Sequence, residues 1–146
     1  MGLLSKDFLS EAEAERIVAA IREAEKNTSG EIRLHVEPFC KIEVMDRAAD
    51  VFGFLDMHKT ALRNGVLFYL AFEDHQFAIL GDGGINQKVA DNFWQETRDL
   101  VLNHFKSEQY TEGLVQGILH AGEQLKHHFP YQSDDKNELS DEISFG

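Results

Sequence analysis

Two runs decide the fold: Arg63-Asn64-Gly65-Val66-Leu67-Phe68-Tyr69-Leu70-Ala71-Phe72, and its return, Gln76-Phe77-Ala78-Ile79-Leu80-Gly81-Asp82-Gly83-Gly84-Ile85. The first is apolar at every position from Val66 to Phe72, so both of its faces must be covered, and it reads as a central strand. It is far too short to cross a bilayer as a helix. Glu73-Asp74 forms a polar turn, and the second run comes back beside the first as a hairpin. Asn64 and Asp82 then stand at the same end of the sheet, one entering it and one leaving.

Working outward, residues 31–37 alternate: Ile32, Leu34 and Val36 face one way, Arg33, His35 and Glu37 the other. This predicts a half-covered strand ended by Pro38. Ahead of it, Ser10 and Glu13 form a capping box for a helix carrying Ala14, Ile17, Val18, Ile21 and Ala24, stopped at Asn27-Thr28-Ser29-Gly30. Glu43 to Leu55 returns to helical period. Asp91 is placed to cap a helix carrying Trp94, Thr97, Leu100, Val101 and Phe105. A last helix runs from about Thr111 to His128, with Gly113, Gly117 and Ala121 along one line that predicts close approach to a neighbour.

The order helix, strand, helix, strand, strand, helix, helix makes a right-handed parallel crossover followed by a hairpin. The expected class is α/β, a three-layer α/β/α sandwich with a small mixed β-sheet. Residues 1–130 form that domain. Residues 131–146, with Asp134, Asp135, Glu138, Asp141 and Glu142, read as a disordered acidic tail.

The chain of 146 residues has 42% hydrophobic residues, enough for a core, and a formal net charge of -12. That charge argues against nucleic acid and anionic membrane surfaces, and suits a chain that gathers cations. The single cysteine, Cys40, excludes an intramolecular disulfide. No signal peptide, membrane anchor or transmembrane span is evident, so the expected location is cytoplasmic. There is no zinc set, no nucleophile–base pair, no phosphate-binding glycine loop and no dinucleotide fingerprint.

The chain directions gather Glu31, Asp56, Asn64, Asp82 and Asp91 at one edge of the sheet. Carboxylate and amide oxygens on glycine-rich loops are hard ligands, suited to calcium or magnesium. The same residues beside glycine are also ordinary turn and cap residues. The opposite edge, with Glu37, Glu43, Glu73 and Asp74, is a rival acidic site or simply a solvated hairpin tip and helix start.

Ser29-Gly30-Glu31-Ile32, Asn64-Gly65-Val66-Leu67, Gly81-x-x-Gly84-Ile85 and Asp91 before a long helix, in that order, resemble the TPM domain family from about Phe8 to Phe129. The family includes a thylakoid-lumen protein of plants and many bacterial proteins. The resemblance implies an α/β/α sandwich, calcium binding and, through plant relatives linked to photosystem II repair, acid phosphatase activity. Its pattern falls on Asn64, Gly65, Gly81, Gly84 and Asp91. Many bacterial relatives have a secretion signal and membrane anchor that this chain does not display, and the family usually has an aromatic where Asp82 stands. The expected function is a domain binding a divalent cation, calcium first and magnesium second, as a binding or accessory module. The alternative is a metal-assisted acid phosphatase with Arg33 and Arg63 as clamps and Asp82 or Asp91 as nucleophile or base. A third reading is a protein-interaction domain using the last two helices, with a protein as partner.

Overall fold

Ser10 opens the first helix as expected: its Oγ accepts from the Glu13 N–H at 3.1 Å, and the Glu13 carboxylate accepts from the Ser10 N–H at 2.9 Å. A computed structural model describes residues 7–131 and 138–146. Its elements run α1 (Glu11–Glu25), β1 (Glu31–Glu37), α2 (Val44–Phe54), β2 (Gly65–Ala71), β3 (Gln76–Gly81), α3 (Gly83–Asn86), α4 (Gln95–Lys106), α5 (Tyr110–Lys126) and β4 (Ser144–Phe145).

The sheet has the order β3-β2-β1-β4. Strands β1 and β2 are parallel from Glu31↔Gly65 to Glu37↔Ala71, and β2 and β3 are antiparallel from Val66↔Gly81 to Ala71↔Gln76. Every residue of β2 is buried, as its unbroken apolar run requires. Ile32, Leu34, Val36, Val66, Phe68 and Leu70 pack with α1, α4 and α5 in one core. Leu67, Tyr69, Ala71 and Ala78 meet Ala48, Val51, Phe52 and Met57 on the other face. The layers are therefore helices, mixed sheet and helix, an α/β/α sandwich.

Three expectations need correction. The polar face of β1 is not open to solvent: Glu37 is buried under Arg47 of α2 and Tyr69 of β2, and His35 between Tyr69 and Ser144 of β4. Asp91 does not cap α4. The chain makes two further turns after it (Phe93 N–H to Ala90 C=O, Gln95 N–H to Asn92 C=O), and the helix begins at Gln95 without a side-chain cap.

The acidic C-terminal stretch is the third. Of the predicted tail 131–146, residues 132–137 lie outside the described residues. Residues 138–146 are ordered against the body of the protein. Leu139 joins the α2 core, Ile143 packs on the α1 side, β4 lies parallel to β1, and the Gly146 N–H donates to Val36 C=O at 2.9 Å. Two apolar side chains spaced along an acidic run anchor it, and averaged composition hides them.

Candidate functional site

The amino end of β1 and β2 collects three of the five residues singled out from sequence. Glu31 opens β1, and its N–H donates to Asn64 C=O at 3.3 Å; Asp82 leaves β3, and its N–H donates to Gly65 C=O at 3.0 Å. The turn that sets this end requires Gly84, because a Cβ there would run into the Leu62 and Arg63 carbonyls. Asp56 and Asp91 are exposed on separate turns. Asp56 pairs with Lys59 at 3.4 Å, and Asp91 lines a groove of about 320 Å³ with Asn86, Trp94 and the β3 end.

The side chains at this end have protein partners. The Asn64 amide donates to Ser29 Oγ at 3.3 Å. Asp82 accepts from Arg63 Nε and Nη2, each at 2.8 Å, and from the Gly83 N–H at 2.7 Å. Burial pushes the Asp82 pKa up, but Arg63 and the Gly83 N–H outweigh it and hold the carboxyl below its usual range. Arg63 makes this pair from the left-handed backbone region, with φ 51°.

Glu31 is different. It is 3% exposed. Its Oε1 accepts from the Leu139 N–H at 2.6 Å, while Oε2 is buried without a hydrogen-bond partner. Burial, then the charges of Glu138 and Asp141 working against the Leu139 N–H, raise its pKa to about 7. Beside it Glu25, at the end of α1, accepts from the Ile32 N–H at 2.8 Å. Burial, then the neighbouring Asp141, raise the Glu25 pKa to about 9. The Asp141 carboxylate also lies 3.5 Å from Arg22, and Glu138 accepts from the Ala61 N–H at 3.2 Å.

Thus Glu25, Glu31, Glu138 and Asp141 form one acidic cluster, of which the sequence offers only Glu31 as a ligand. Glu25 comes from the end of α1, and Glu138 and Asp141 arrive on the returning C-terminal stretch, more than a hundred residues along the chain from β1, a pairing that no local pattern reveals. Among the described residues, no group of three or more His, Cys, Asp or Glu stands arranged to hold a metal ion.

The opposite end is occupied by structural roles. Glu43 accepts from the Asp46 N–H at the start of α2, and Asp74 accepts from the Cys40 N–H at 2.7 Å. Glu37 holds a buried network: both Arg47 contacts at 2.9 Å, His35 Nε2 at 3.0 Å, and the Tyr69 hydroxyl. The spacing His35-x-Glu37 on one face of a strand was the available signal for it.

No helix among the described residues is long and apolar enough to cross a membrane. The pattern of the TPM domain matches residues 4–124. The NMR structure of BA42 protein from the psychrophilic bacterium Bizionia argentinensis is similar at 52% identity and a TM-score of 0.91, covering 95% of this chain and 96% of that one. The N-terminal domain of a P. gingivalis protein matches at 19% identity and a TM-score of 0.67, over 85% of this chain and 82% of that one. The N-terminal domain of cg2496 from Corynebacterium glutamicum matches at 14% and 0.64, over 80% and 74%. These last two share the fold. No curated protein matches the chain. By the span of the family match and the likeness to BA42, the chain belongs to the TPM domain family.

Proposed function

We propose that this TPM domain binds a divalent cation, calcium first and magnesium second, as a binding or accessory module, and that the cluster around Glu31 receives it. One observation carries the reading: two carboxyl oxygens of the cluster, Glu31 Oε2 and Asp141 Oδ1, are buried with no hydrogen-bond partner. A buried acceptor with no partner costs free energy that a cation relieves. The donors are all oxygen, which suits a hard ion.

Protons on Glu25 and Glu31 now lower the charge of the cluster. An ion entering would replace them and draw the carboxylates inward. Asp56, Asn64, Asp82 and Asp91 are left to their present partners and to solvent.

Calcium titration of the protein, followed by amide NMR, tests this. Shifts centred on Glu31, Ile32, Leu139 and Asp141 support it. An unchanged spectrum at millimolar calcium overturns it.

The phosphatase reading has one supporting observation. Trp94 Nε1–H is a buried donor without an acceptor beside the groove lined by Asn86 and Asp91. An anionic oxygen there would satisfy it. Hydrolysis of a phosphate ester that needs added metal and is lost in Asp91→Asn supports this reading; equal rates in the two proteins remove it.

A further inference from the structure

We infer that the cation clamps the C-terminal strap, residues 138–146, onto the edge of the sheet. This rests on the cation reading above and adds the moving part to it. The cluster is built from two bodies. Glu25 and Glu31 belong to the frame, on α1 and β1; Glu138 and Asp141 belong to the strap.

Outside this cluster the strap is tied to the frame along β1, where the Gly146 N–H donates to Val36 C=O at 2.9 Å. Its ladder with β1 is two residues long, His35↔Ser144 and Val36↔Phe145. Arg33 Nε reaches Glu142 C=O at 3.3 Å, and Ser144 Oγ meets His35 Nδ1 at 2.9 Å. The Arg22–Asp141 pair is 3.5 Å long with its arginine 66% exposed, and a pair of that kind contributes little. Leu139 and Ile143 are the apolar anchors.

Beside these ties carboxyls of the two bodies come together, Glu25 with Asp141 and Glu31 with Glu138 and Asp141, and Arg22 pairs with Asp141. Strap docking therefore buries carboxyls of both bodies side by side, and Glu31 is left with its buried, unpartnered oxygen at the contact. A doubly charged ion placed between the bodies turns each of those carboxylates into an attachment. Because the site exists only when the strap is down, ion binding and strap closure are thermodynamically linked.

The experiment is amide hydrogen exchange of the full chain, in calcium chloride and in chelator, read at Leu139 and Gly146. These two N–H groups donate from the strap to Glu31 and Val36. At calcium ten times its Kd, exchange at both should slow about tenfold, by the linkage factor for a ligand bound only by the closed form. In the Glu138→Gln/Asp141→Asn variant calcium should leave exchange at these amides unchanged, while the amides of β2 stay protected as evidence that the variant is folded. If calcium shifts the Glu31 resonance but exchange at Leu139 and Gly146 does not slow, the clamp is wrong and the cation reading stands. If calcium shifts nothing, both fall together.

Discussion

Arg47 lies across Glu37 with Nε on one carboxylate oxygen and Nη2 on the other, each at 2.9 Å, and joins α2 to the far end of β1. The carboxylate side chain is 6% exposed and the arginine 31%. A fork of this kind fixes orientation as well as charge. Removing the arginine alone leaves a buried carboxylate with only His35 and Tyr69. Arg47→Ala should lower stability by about 3 kcal/mol, the usual cost of breaking one side of a buried pair. Urea unfolding measures it, and a loss below about 1 kcal/mol would show that solvent replaces the guanidinium freely.

The same network sets an acid limit. Burial works to raise the Glu37 pKa, but Arg47, Tyr69 and His35 hold it at about 2, down from 4.5. A carboxyl with a depressed folded pKa takes up its proton more readily when unfolded. Its contribution is whole above the unfolded value and fades as pH falls from about 4.5 toward 2. Melting temperature should drop through that window in the native protein, and less steeply in Glu37→Gln. Equal slopes would assign the acid loss to other groups.

How much of this was legible follows from where each signal lives. The β2 run announces burial on both faces in its own residues, and the capping box of α1 is complete within four positions. His35 and Glu37 alternate with apolar residues as a solvated face would; their burial depends on Arg47, Tyr69 and Ser144, which the strand's own pattern does not contain. Leu139 and Ile143 sit in a stretch whose average is acidic, and the average hid two anchors. Asp82 was read as a metal ligand because glycines surround it. Arg63 stands at the other end of the same hairpin, and strand pairing alone would have put the two together.

Two glycines in helices should respond oppositely to the same change. Gly122 faces α1, and a Cβ there would stand 2.7 Å from Ala24 Cβ and 2.9 Å from its Cα. Those are atoms of the frame and not the tip of a flexible side chain. Gly122→Ala gains about 1 kcal/mol of helix propensity and loses about 1–3 kcal/mol to overpacking, so stability should fall. Gly53, exposed in α2, has nothing within 4 Å of that position. Gly53→Ala should raise stability by up to about 1 kcal/mol. Thermal unfolding of the two variants side by side decides it; a gain in Gly122→Ala would mean that α1 and α5 separate easily.

Calcium should stabilise the native protein and not Glu31→Gln. The glutamine keeps an acceptor for the Leu139 N–H, so the strap contact survives, while the formal charge of the cluster falls by one. At calcium a hundred times Kd the native protein should gain about 2.7 kcal/mol. A melting temperature that rises equally in both proteins would place the ion elsewhere.

Arg63→Ala should change the titration of Asp82. In the native protein the guanidinium donates to the carboxylate from Nε and Nη2, and burial alone would drive the pKa the other way. Removing it leaves the Gly83 N–H, and more distantly His58, on the favourable side. The Asp82 pKa should therefore rise from below its usual range to above its native value, read from its side-chain carboxyl resonance against pH. The alanine must also adopt the left-handed backbone that Arg63 holds at φ 51°, so Arg63→Gly serves as the companion. If Asp82 shifts in both variants, the lost ion pair is the cause. If it shifts in the alanine and not in the glycine variant, the turn has moved and the carboxylate with it.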